Sequence, residues 1–261
     1  MTESPPTTPT PPIEYRYLDQ NALSTCKGPS VYAPSTCYDP INVVTILVRS
    51  AKENTYVIPR GLLIWHSSYF AAALDPSNSA NFATGANGEL MMEEDVEVFD
   101  AFCCWLYTGR LKDPCSTSTT SKFLELYLKR KILYQIWIFA EMRGVPAMKN
   151  AAIDMLHENV CASWTSLRGG ISYCYENIVR GSALRQYMLN RSTQVKSFES
   201  FKNFMTKNEL PYDFLIDAIP ILVAQGEGHE SIGREAWIAI DRCQWHDHSG
   251  PGGKLRLESR T

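Results

Sequence analysis

The hydrophobic pattern is clearest from Asp95 to Gly109, DVEVFDAFCCWLYTG. Val96, Phe99, Phe102, Cys103 and Leu106 recur at spacings of three and four, so they line one face of a helix. Asp95 is placed to cap it, and Glu93, Glu94 and Glu97 put negative charge near the positive end of the helix dipole. Val98 stands three after the cap, which rules out a capping box. Gly109 follows where a left-handed C-terminal cap is needed. Trp105 and Tyr107 point off the stripe and must meet a second layer or lie on a contact surface.

Upstream, Val43 to Val48 (VVTILV) is mostly β-branched and apolar, the pattern of a strand buried on both faces. AKEN at 51–54 supplies a turn into Thr55 to Ile58, predicting a hairpin that Pro59 ends. Leu62, Trp65, Tyr69, Phe70 and Ala73 then repeat with helical spacing. Asp75 to Gly88 reads as a loop, and Glu89 to Met92 as a third short strand. After a loop over Arg110 to Thr120, Ser121 to Met142 predicts one long helix or two abutting ones. Pro146 suits the first turn of the next helix, with Met148, Ala152, Met155 and Leu156 facing inward.

Helical spacing persists beyond Cys161. Trp164, Leu167, Ile171, Cys174, Tyr175 and Ile178 keep a 3.6-residue period, although Gly169 and Gly170 weaken that helix by roughly 1 kcal/mol each. Ser182 can cap a helix holding Leu184, Tyr187 and Met188, and Phe198, Phe201, Phe204 and Met205 mark another. Pro211 to Val223 predicts a further helix, interrupted at Pro220. The Pro/Thr-rich residues 1–12 read as a disordered tail, as do residues 246–261. Residues 13–40 show no clear period and are grouped with residues 1–12 as a disordered or loosely packed N-terminal tail.

Four of these blocks resemble, in order, the BTB/POZ domain: the strand pair, LLIWHSSYFAAAL with Ser67, Tyr69 and Phe70, the helix closing in WLYTG, and IWIFAEMRGVPAMKNAAIDML from Ile136 to Leu156. The chain has Pro59-Arg60 where the family usually has His-Lys, and its connection from Cys115 to Lys131 is longer. Tyr175 to Arg185 is similar to a block found in fungal BTB proteins. The resemblance implies an α+β fold, a small sheet packed on a helical cluster over residues 41–160, with an all-helical extension over 161–245. It implies a non-enzymatic module that binds other proteins and forms a homodimer. Phe123-Leu124-Glu125 has the form of the family's hydrophobic-x-Glu element that docks a cullin, which makes a substrate adaptor of a ubiquitin ligase one alternative and a transcription or chromatin scaffold another. An enzyme with its site in residues 161–261 is the remote alternative.

The 44% apolar content allows a sizeable core, and the net charge of −3 gives no reason to expect nucleic acid or anionic membrane as a partner. The N-terminus has neither a basic start nor an apolar run, so no secretory signal is read there, and no stretch reaches the roughly 20 apolar residues of a bilayer span. Eight cysteines without CxxC or a regular framework suit reduced thiols in cytosol or nucleus. The sequence contains no nucleophile elbow, zinc-protease helix, Walker loop or dinucleotide fingerprint, and no catalytic residue or cofactor is assigned. His66 and His157 read as structural. Cys243, His246 and His248 offer soft and borderline metal ligands, but no second cluster supplies the rest of a four-ligand site, so they are assigned to a polar tail.

Overall fold

The computed structural model describes residues 32–49, 54–77, 89–112, 128–196, 198–207, 210–226, 230–253 and 258. Among them lie three strands, ten α-helices and short 3-10 turns, a mixed α+β architecture. Strands β1 (Val43–Val48) and β2 (Thr55–Pro59) form the expected antiparallel pair, with Val44 opposite Ile58 and Ile46 opposite Tyr56. Strand β3 (Leu90–Met92) joins β1 in parallel, giving the order β2-β1-β3. A parallel return needs a crossover, and helices α1 (Arg60–His66) and α2 (Ser68–Ala73) lie in that connection.

Strand β1 is not buried on both faces. Val44, Ile46 and Val48 point into the core, while Val43 is exposed and Thr45 and Leu47 are half-covered. Among the described residues, helices cover one side of this sheet only, so alternation replaces the continuous burial that the apolar run suggested. The apolar stretch from Leu62 to Ala73 also divides. Ser67 is extended (φ −128°, ψ 122°), its Oγ accepts from Phe70 N–H at 3.0 Å and donates to the Arg143 carbonyl at 2.6 Å. One hydroxyl thus caps α2 and ties it to the end of a distant helix.

Helix α3 (Val96–Thr108) has the predicted ends: Asp95 accepts from Glu97 N–H at 3.1 Å, and Gly109 adopts φ +69°. Its buried face is broader than the stripe. Val98, Phe99, Ala101, Phe102, Trp105 and Leu106 are buried, whereas Val96 and Cys103 are half-buried. Trp105 meets a second layer at the His66 ring, 4.9 Å between centroids, and Tyr107 stays at the surface. Phe102 packs on Phe70, Phe99 and Phe139, the last at 5.1 Å, linking α2, α3 and α4 (Arg130–Met142).

Helix α5 (Pro146–Ser163) carries the chain across the boundary expected at residue 160. It continues into α6 (Arg168–Asn177), α7 (Ala183–Gln194), α8 (Phe198–Thr206), α9 (Tyr212–Gln225) and α10 (Arg234–Ile238), then a 3-10 turn at Arg242–Trp245. His157 on α5 sits among Tyr187, Trp237 and Trp245, all with centroids within 6.2 Å of its ring. Gly170 weakens α6 in propensity but admits the Tyr134 ring, which a Cβ there would approach to 2.1 Å. The extension therefore shares one continuous apolar core with the sheet-bearing part.

Two expectations for the C-terminal half are corrected. Helix α9 runs unbroken through the exposed Pro220, because losing one hydrogen bond at the solvent side leaves the buried Phe214 and Ala218 in place. Residues 246–253 are not a disordered tail: they lie across α5 and the end of α1. Asp247 N–H donates to Asn150 Oδ1 (2.8 Å), Asn150 Nδ2 donates to Asp247 O (3.0 Å), and Lys149 Nζ donates to the Asp247 carboxylate (2.7 Å). Gly252 (φ +96°) and Gly253 fit so closely that a Cβ on Gly253 would stand 1.7 Å from the Ile64 carbonyl oxygen. Glycine permits that approach; nothing in the local hydrophobic pattern announces it.

Candidate interaction surfaces

The residues singled out for partner binding, Phe123, Leu124 and Glu125, lie outside the described residues. They precede α4, whose start is fixed by Arg130: its guanidinium donates to Asn159 Oδ1 at 2.8 Å and to the Ser166 carbonyl at 3.1 Å. The 113–127 stretch, outside the described residues, is bracketed by the buried Leu111 and by Leu128, both packed on the core.

Among the exposed apolar side chains of the described residues, two groups stand out. On the outer side of the hairpin, Val43 and Val57 (58% exposed) follow the outward alternation of β1 and β2, Ile41 (89%) lies just before β1, and β2 is an edge strand among the described residues. On α9, Tyr212, Ile219 and Val223 (76%) are spaced seven and four apart and share the face turned from the core. The sequence reading missed both. Reading VVTILV by strict alternation would have exposed the first, and the second appears only once Phe214 and Ala218 are known to face inward.

A cleft of ≈ 470 Å³ opens between α6, α7 and α9. Asp217 holds its polar wall together: Arg180 Nη2 donates to Oδ1 at 3.2 Å, and Tyr175 Oη donates to Oδ2 at 3.4 Å. The Arg185 guanidinium lies 4.3 Å over the Tyr175 ring. Asp217 thus balances Arg180, while Arg185 is held by the Tyr175 ring and carbonyl.

The chain matches no protein-family model, no curated protein and no solved structure. Within the chain, the acidic run before α3 divides its charges between partners. Glu94 accepts from Arg143, whose Nε stands 2.9 Å away and whose guanidinium lies 4.3 Å over Tyr69. Asp95 pairs with Arg49 at 3.3 Å. The WLYTG and Ser-x-Tyr-Phe blocks are thus joined through Glu94, Arg143 and Tyr69.

A denser polar group sits on α5. Arg242 bridges Asp154 (3.1 Å) and Glu158 (3.6 Å), and His246 Nε2 lies 3.2 Å from Asp154 Oδ1. Burial pushes the Glu158 carboxyl up to about 7 against the pull of Arg242. Burial also pushes His157 down to about 4, helped by Arg242, and His66 down to about 4. Beyond this group, Cys243, His246 and His248 come together, with Sγ and one nitrogen of each ring within 4.8 Å of one another. No helix among the described residues is long and apolar enough to cross a membrane.

Proposed function

We propose that the chain is a BTB/POZ-type protein-interaction module that self-associates and joins protein partners without chemistry of its own. The observation that supports this reading most is the outer side of the hairpin, where Ile41, Val43 and Val57 remain in solvent while Val44, Ile46, Val48 and Ile58 face the core. Exposed apolar side chains on one sheet face gain roughly 25 cal/mol for each Å² that a partner covers. The four sequence blocks also occupy one core: Ser67 reaches the carbonyl that ends α4, and Phe102 on α3 touches α2 and α4.

Light scattering of the purified chain, well above micromolar concentration, should report the mass of at least two copies. Val43→Asp with Val57→Asp, both at exposed positions, should return it to one copy with an unchanged far-UV spectrum. A single-copy mass for the wild type would remove self-association from the proposal.

The second reading, a substrate adaptor of a cullin-type ligase, rests on Phe123-Leu124-Glu125 ahead of α4. Phe123→Asp with Glu125→Lys should abolish recovery of cullin in a pull-down and leave thermal unfolding unchanged. Equal recovery by the double variant would end that reading in favour of a transcription or chromatin scaffold.

A further inference from the structure

The segment that closes the chain onto α5 carries the sequence Cys243-Gln-Trp-His246-Asp-His248. One soft and two borderline ligands fall within six residues. We propose that Cys243, His246 and His248 form a binding site for a divalent transition metal, Zn²⁺ by donor type.

Three independent features of the geometry carry this. The ligand atoms already converge, within 4.8 Å of one another. A tetrahedral site with one sulfur and two nitrogen ligands separates them by roughly 3.3–3.6 Å, so side-chain closure of about an ångström completes it.

The backbone beneath them is fixed. Asp241 Oδ1 accepts from Cys243 N–H at 2.9 Å, His246 N–H donates to the Cys243 carbonyl at 3.2 Å, and the buried Trp245 anchors the turn between them. Lys149 and Asn150 hold Asp247, which sets where His248 departs. The ligands are therefore preorganised on rigid chain.

His246 is also oriented as a metal ligand is. Its side chain is 1% exposed, and Nε2 lies 3.2 Å from Asp154 Oδ1, itself held by Arg242. A carboxylate that accepts a hydrogen bond from one ring nitrogen of a ligating histidine fixes the ring and raises the basicity of the other nitrogen. Sulfur with two imidazoles favours zinc-like ions over magnesium and calcium, which take oxygen. Three protein ligands leave a fourth position for water or for a carboxylate. Binding exchanges the thiol proton for the metal: Cys243 loses one proton to solvent and its sulfur forms the new bond.

The test uses the full chain, kept reduced and stripped of metal, titrated with ZnCl₂ by calorimetry and with CoCl₂ by absorption. Uptake should saturate at one ion per chain, magnesium should not compete, and cobalt should give a thiolate charge-transfer band. His248→Ala, at an exposed ring, and Cys243→Ser should each weaken zinc binding at least ~100-fold. Asp154→Asn should weaken it roughly 10–100-fold, as loss of an outer-shell carboxylate does. Zinc should also raise the melting temperature of the wild type but not of His248→Ala. No uptake near one equivalent, or uptake and cobalt spectra in Cys243→Ser and His248→Ala equal to the wild type's, would overturn the site.

Discussion

Trp237→Ala should destabilise the whole chain, by about 3–5 kcal/mol, and not merely loosen its end. Trp237 is fully buried and stacks on His157 of α5 at 5.7 Å, with Tyr187 and Trp245 at 5.9 and 5.8 Å. The buried Arg191 guanidinium lies 5.5 Å over its ring. Deleting the indole leaves a cavity lined by large aromatic rings that cannot collapse into it, and it strips a buried cation of a π face. Because α5 also packs on α4, the damage reaches the sheet-bearing part. Denaturant unfolding followed by circular dichroism, together with hydrogen exchange of the α3 amides, should show one transition moved to lower denaturant. An α3 whose protection is unchanged in this variant would show that residues 41–160 stand apart from the extension.

Acid should weaken the fold through its buried histidines, and His66→Leu should remove most of that sensitivity. In the folded chain, burial keeps His66 and His157 neutral down to about pH 4, while in the unfolded chain each takes a proton near pH 6.5. Between those values the unfolded state binds more protons, so stability falls with falling pH, by about 1.4 kcal/mol per unit for each ring. Glu158 acts the other way. Its carboxyl, raised to about 7, holds a proton in the folded state that the unfolded state has lost, so its contribution falls as pH rises from 4.5 to 7. From pH 5 to 6.5 the three groups leave a net slope of about +1.4 kcal/mol per unit.

His66→Leu cancels that slope, since His157 and Glu158 then offset each other. Neither ring nitrogen of His66 has a hydrogen-bond partner among the described residues, so leucine also relieves a buried polar cost of about 1–3 kcal/mol at pH 7. Stability measured by urea unfolding at half-unit pH steps decides it. A variant with the wild type's slope would place the acid sensitivity elsewhere.

Local sequence determined the elements. The caps of α3 at Asp95 and Gly109, the strand at Val43–Val48, the proline-started α5 and the Ser182-capped α7 each depend on a few neighbouring residues, so their signals are complete within a short window. The Cys243-x-x-His246-x-His248 spacing is equally local, but by itself it reads as a polar tail. Tertiary structure alone decided what those elements face. Which side of β1 is wet follows from helices covering one side of the sheet, and Ser67 divides an apolar run because its hydroxyl finds the Arg143 carbonyl. The docking of residues 246–253 needs Asn150, Lys149 and the Ile64 carbonyl, all roughly a hundred residues or more earlier. The Asp154 carboxylate that orients His246 is as distant, and no periodicity records such a pairing. Spacing encodes geometry within an element; contact between elements is set by the summed packing of the whole core, which no window of sequence contains.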